Sequence, residues 1–252
     1  MIISFTNRKG GVGKTSCTGN IAHEISKTRS TVVVDFDSQG SVTDWLVQEP
    51  FEHELADIMF GNGDLIEACQ KIGENLFVLG TYADGKLRDY AEQRAPREPF
   101  AASDLFTRLE EKFDVILCDL PPGLGTFEQS VLAASDRAIP VLEAEALAVD
   151  GLVNLMQELD AIKEKRRSSV RTDWVILNKL NASYRRHAIY RDALTSQWEG
   201  FHFFEIPQSS HVGESQMVHL PLAQYNAGED RALPAYRVIA ENLLEVKEYA
   251  TV

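Results

Sequence analysis

Cysteine is scarce in this chain of 252 residues: Cys17, Cys69 and Cys118 are the whole complement, and no two of them form a CxxC pair. That scarcity argues against a disulfide framework and against a local metal cluster, and it predicts reduced thiols in a cytoplasmic protein. A long apolar run is also missing. The N-terminus passes from Met1-Ile2-Ile3-Ser4-Phe5 directly into a glycine-rich loop, with no basic leader and no small-residue cleavage site, so neither export nor a membrane anchor is expected. Positive charge is short as well: 25 Lys and Arg stand against 38 Asp and Glu, a formal net charge of -13. A surface of that sign repels nucleic acid and anionic lipid as a whole, which leaves only local patches to engage either. Repeats, low-complexity tracts and flexible linkers are absent too. With 44% apolar residues, the length fits one large domain over residues 1–252.

What the chain does contain is a regular exchange between short β-branched runs and longer helical stretches, the pattern of βαβ units in a mostly parallel sheet covered on both faces. Strands are predicted at 2–6, 31–35, 76–80, 115–119, 138–142, 174–178 and 203–206, and helices at 14–27, 103–112, 149–165, 184–197 and 234–249. The stretch 83–100, with two prolines and many charges, reads as an irregular surface connection. Right-handed crossovers in such an α/β fold put the loops after the strands' carboxyl ends along one edge, where ligands bind.

At the first of these edges Phe5-Thr6-Asn7-Arg8 leaves a strand, and Lys9-Gly10-Gly11-Val12-Gly13-Lys14-Thr15-Ser16 opens a helix. Glycines let consecutive N–H groups point inward, and the helix N-terminus adds about half a positive charge at the same point. Lys14 then supplies a full charge to the β- and γ-phosphates of a nucleotide, and the Thr15 hydroxyl is placed to bind Mg²⁺. The usual G-x-x-x-x-G-K-[ST] pattern demands glycine where Arg8 stands; the segment matches K-G-G-x-G-K-[ST] instead, with an extra lysine at Lys9. In this it resembles the ParA/MinD branch of the P-loop ATPases, the deviant Walker A family. The resemblance implies ATP as ligand, an ATP-sandwich homodimer, and a role for Lys9 in reaching the phosphates held by the other subunit.

Further motifs agree. Val32-Val33-Val34-Asp35-Phe36-Asp37-Ser38-Gln39-Gly40 resembles the family's D-x-D-P-Q-G, with Ser38 in place of proline; the resemblance implies that Asp37 positions the attacking water and Asp35 supports the Mg²⁺ shell. If extended structure continued past the strand, both acids would face the same side. Asp119, followed by Leu120-Pro121-Pro122-Gly123-Leu124-Gly125, is a Walker B acid able to hold Mg²⁺ through its water ligands. Asn178 ends a later strand in an amide suited to an adenine edge, although a turn-forming asparagine fits equally simple chemistry. Ile206-Pro207 resembles the element beside the adenine ring, or is a rigid turn.

The downstream output is less constrained by the sequence. ParA relatives bind DNA non-specifically, and two basic groups would serve: Lys163, Lys165, Arg166, Arg167 and Arg171, then Arg185, Arg186, His187 and Arg191. Solvated helix faces are the competing reading. MinD relatives use a basic amphipathic C-terminal helix to find membrane; here Glu241, Glu245 and Glu248 stand beside only Arg237 and Lys247, so Val238, Ile239, Leu243 and Leu244 are expected in the core and no membrane partner is expected. No helix-turn-helix extension is expected before Met1, and a ParB-like or cargo-adaptor protein is therefore expected to supply addressing. The leading expectation is a DNA-partitioning ATPase. A positioning ATPase for a protein cargo and a reductase or metal-insertion relative are the alternatives.

Overall fold

Eight strands lie in the order β3-β4-β2-β5-β1-β6-β7-β8 in the computed structural model, which describes residues 1–146, 148–225 and 230–249. They are β1 (Ile2–Thr6), β2 (Thr31–Asp35), β3 (Cys69–Lys71), β4 (Leu76–Leu79), β5 (Val115–Asp119), β6 (Arg137–Glu143), β7 (Trp174–Leu180) and β8 (His202–Pro207). Every pairing is parallel except that of β3 with β4.

The helices are α1 (Lys14–Ser26), α2 (Ser41–Leu46), α3 (Leu55–Met59), α4 (Leu65–Ala68), α5 (Lys86–Gln93), α6 (Ala101–Glu110), α7 (Thr126–Ala134), α8 (Ala148–Arg166), α9 (Arg185–Gln197), α10 (His211–Met217), α11 (Leu222–Tyr225) and α12 (Leu233–Tyr249). They cover both faces, so the predicted α/β sandwich of a P-loop fold is the one observed. Alternation along the central strands feeds two cores. Ile2, Val32, Val34, Ile116 and Cys118 pack toward α3 to α9, whereas Ile3, Phe5, Val33, Val115 and Leu117 pack toward α1, α2, α11 and α12. Both faces being dry explains why these strands read as continuous apolar runs.

Register sets the site. Phe5 and Asp35 both pair with Asp119, so the carboxyl ends of β1, β5 and β2 stand level and their loops meet.

The stretch 83–100 departs from its expected irregularity: it contains α5, in which Leu87 and Tyr90 are buried and the charged residues face outward. Tyr90 packs edge-on against Phe60 and Phe127, and its hydroxyl donates to Glu98 at 2.8 Å. Prolines at 96 and 99 lie beyond this helix, not within it. In α12, Ile239 and Leu243 are buried and Leu244 is half-buried, as expected, but Val238 is exposed, on the face opposite the core. Among the described residues no helix is long and apolar enough to cross a membrane.

Candidate functional site

The loop between β1 and α1 is held by its own ends. Asn7 donates through Nδ2 to Val141 O at 2.6 Å and accepts from Lys9 N at 2.9 Å, which ties the loop's start to β6. Val12 plugs into the core. Gly13, with φ of 96°, caps α1 in the left-handed region, and a Cβ there would stand 2.1 Å from Asn178 Nδ2. Glycine is required at this position on both counts. Asn178 is itself 4% exposed and donates to Val12 O at 2.9 Å, so its amide braces the loop from β7.

Lys14 and Lys9 occupy contrasting settings. Lys14 is buried along the loop, its Nζ 3.5 Å from Asn7 O; desolvation lowers its pKa, opposed by the nearby Asp119 and Asp37. Lys9 is 59% exposed at the side chain and points the other way, with Nζ 2.6 Å from Glu145 Oε2 and 3.9 Å from Glu143 Oε2. The hydrogen bond to Glu145 raises its pKa. Lys179, at φ 56°, completes a row of alternating charge: its Nζ lies 2.6 Å from Glu143 Oε1 and donates to Gly11 O at 2.5 Å. Arg8, the residue in the position where glycine is usual, pairs with Glu158 of α8 at 2.8 Å. None of Lys179, Glu143, Glu145 and Glu158 was singled out from the sequence, since they lie 36 to 168 residues from their partners.

Thr15 donates through Oγ1 to Asp119 Oδ2 at 2.7 Å, and Thr18 donates to Oδ1 at 3.4 Å. Burial pushes the Asp119 carboxyl up to about 7, against the pull of Thr15 and Lys14. A buried acid beside a threonine hydroxyl is a hard oxygen set short of positive charge.

The tandem acids of β2 do not share a side as an extended chain would have them. Strand β2 stops at Asp35, and Asp37 opens a turn closed by Gly40 N to Asp37 O at 2.9 Å, with Gln39 N donating to Asp37 Oδ1 at 2.9 Å. Asp37 therefore lines the cleft. Asp35 is fully buried; its Oδ1 accepts from Asp37 N at 3.1 Å and its Oδ2 from Thr43 N and Oγ1 at 3.0 and 2.6 Å. Those donors make Asp35 a brace for the turn instead of an open donor to a metal shell. Its carboxyl is raised well above the usual range by burial, and then by Asp119.

These loops surround an open cleft of about 990 Å³, lined by Gly10, Gly11, Gly13 to Ser16, Asp37, Pro122, Asn178, Lys179 and the run Pro207 to Ser210. Ser16 accepts from Gln216 Nε2 at 3.0 Å, which draws α10 to its rim. The cleft is large enough for a nucleotide, and its lining includes the phosphate loop, Asn178 packed directly against that loop, and Pro207.

The basic candidates lie on α8, α9 and the turns that flank them. Lys163 and Arg166 are half-buried, and Lys165, Arg167, Arg171, Arg185 and Arg186 are exposed. Arg166 donates to Pro99 O and Thr126 O, Arg171 pairs with Asp173 at 2.9 Å, and Arg191 pairs with Asp192 at 2.7 Å, so these three are already engaged within the chain.

A family model described as an AAA domain matches residues 1–172. The ParA family protein MG470 of Mycoplasma genitalium is 26% identical, over 99% of this chain and 99% of its own. Sporulation initiation inhibitor protein Soj of Bacillus subtilis is 28% identical, over 72% of this chain and 73% of its own. Among solved structures, an ATP complex of an aspartate-to-alanine variant of McdA from Cyanothece superposes with a TM-score of 0.85 at 17% identity, covering 96% of this chain and 95% of that one. With the phosphate loop, the fold and these relatives in agreement, the chain belongs to the AAA-domain family and is a ParA/MinD-type P-loop ATPase.

Proposed function

We propose that this chain is an ATP-dependent dimerisation switch with slow hydrolysis, used to partition or position a cargo. The observation that carries the reading is the division of labour between two lysines. Lys14 is buried in the loop's own phosphate site, whereas Lys9 is exposed and turned away from it, available to a second chain. The ATP bound to the McdA variant and the volume of the cleft support ATP as the ligand. Mg²⁺ fits the donor chemistry: Thr15 and Asp119 would hold it, and it would neutralise phosphate charge and return Asp119 to its ionised form.

The chain's own residues then have simple tasks. Backbone N–H groups of Gly10 to Ser16 and the Lys14 ammonium hold the phosphates, and Asp37, at the cleft wall, orients a water against the terminal phosphorus. Asn178 and Pro207 flank the base. With one positioned acid and few other groups at the reacting end, turnover is slow.

Sedimentation with ATP and with ADP tests this. Wild type dimerises with ATP only, Lys14→Ala does not bind nucleotide, Lys9→Ala binds it as a monomer, and Asp37→Ala stays dimeric. A Lys9→Ala protein that dimerises as wild type does would sink the reading.

The output is proposed to be non-specific DNA, engaged through Lys163, Lys165, Arg167, Arg185 and Arg186, with a ParB-like or adaptor protein as second partner. Retardation of random duplex DNA with ATP but not ADP, weakening as salt rises, is the expected result. No retardation at low salt favours the protein-cargo alternative. The reductase alternative is disfavoured because Cys17, Cys69 and Cys118 are all buried, and burial holds their thiols protonated, Cys69 up to about 12.

A further inference from the structure

We infer that Thr43 is a positioning residue for the hydrolytic step, acting on Asp37 through Asp35. The inference rests on the proposed role of Asp37 but concerns a residue outside the cleft.

The Thr43 hydroxyl does two things at once: it donates to Asp35 Oδ2 at 2.6 Å and accepts from Thr81 N at 2.9 Å. Its backbone N–H donates to the same carboxylate oxygen at 3.0 Å. The other oxygen of Asp35 takes the Asp37 N–H at 3.1 Å, and Thr81 Oγ1 donates to Asp35 O at 2.6 Å. Asp35 and Thr43 are 0% and 4% exposed, so water cannot substitute for a lost partner. The chain of bonds runs Thr81, Thr43, Asp35, Asp37, and crosses from the end of β4 to the turn after β2.

Packing keeps this chain from relaxing. A Cβ on Gly80 would lie 2.8 Å from Thr43 Cγ2, and one on Gly40, at φ 66°, would lie 2.5 Å from Thr81 O. The segments are in contact with no slack, so a change at Thr43 moves the Asp37 turn instead of being absorbed. The phosphate-holding groups, by contrast, sit on the β1–α1 loop, braced by Asn7 and Asn178, and none of the five bonds above reaches them. A misplaced acid slows phosphoryl transfer to water while leaving nucleotide affinity alone, and displacement by about 1 Å costs on the order of 100-fold in rate.

The test separates rate from binding under saturating ATP. Thr43→Val keeps the shape and removes both hydroxyl bonds; kcat is expected to fall about 10- to 100-fold with the nucleotide Kd within about twofold of wild type. Thr43→Ser, which keeps the donor and acceptor, restores kcat to within about threefold. A wild-type kcat in Thr43→Val, a loss that Ser does not rescue, or a Kd weakened in step with kcat would each overturn the inference. If Thr43→Val does not fold, Thr43→Ala, which removes the same two hydroxyl bonds, takes its place: a lower kcat at unchanged Kd supports the inference, and an unchanged kcat overturns it. Asp37→Ala is measured alongside. Wild-type hydrolysis in that variant defeats the role of Asp37, whereas an inert Asp37→Ala with a normal Thr43→Val defeats the role of Thr43 alone.

Discussion

Helices α1 and α9 are each 13 residues long and each follows the carboxyl end of a strand, but they are anchored to opposite degrees. Ten residues of α1 are buried, while in α9 Leu194 alone is. Helix α1 is gripped from several sides: Gly19 lies where a Cβ would be 2.2 Å from the Trp45 ring, and Asn20 accepts from Leu222 N at 2.8 Å. Helix α9 exposes Ile189 and carries Arg185 and Arg186 outward. The first helix delivers Lys14 and Thr15, whose chemistry depends on fractions of an ångström; the second contributes surface, where substitution is tolerated.

Matched truncations are the strongest way to break this contrast. Ile21→Ala, in the fully buried face of α1, should lower stability by about 2–5 kcal/mol, whereas Ile189→Ala in α9 should stay within about 0.5 kcal/mol, both read from denaturant midpoints. Equal losses would mean that α9 is as firmly packed as α1.

A second effect, of comparable size, is pH-dependent. Asp119, beneath α1, has a folded pKa of about 7 against an ordinary 3.8. Between those values the folded chain keeps a proton that the unfolded chain has released, so the associated stability is complete at low pH and is lost as pH rises through the window. The total is on the order of 4 kcal/mol for nucleotide-free protein. Asp119→Asn should flatten most of this slope in chemical denaturation from pH 4 to 8, with a residue from Asp35, which burial also keeps protonated. An unchanged slope would show that the site under α1 is not under electrostatic stress.

The smallest effect concerns α9 itself. Removing Arg185 or Arg186 should leave the denaturant midpoint within about 0.5 kcal/mol and lower the salt slope of DNA binding by about 1. A salt slope unchanged by both would remove α9 from the DNA surface.

The same contrast governs what the amino-acid sequence disclosed. The central strands were legible because both faces are dry, and the loop from Lys9 to Ser16 because its glycines have single conformational reasons to be there. Helix α5 was not, since its stability comes from Leu87 and Tyr90 reaching a distant core, and its neighbouring charges and prolines mask that spacing. Nor was the divergence of Asp35 and Asp37, because where a strand ends is decided by partners such as Thr43 and Thr81, not by the acids themselves. The acids facing Lys9 and Lys179 carry no local signature at all; only the fold brings β6 and β7 to the loop.

Lys9 is already half of an ion pair, 2.6 Å from Glu145. Moving it to a phosphate on a second chain trades one charge pair for another instead of adding one, and exposed pairs of this kind are worth only about 0–1 kcal/mol. In the proposed switch such an exchange would discriminate without adhesion: it would tell a chain carrying the right anion from one that does not, yet leave the two chains easy to separate once that anion is gone.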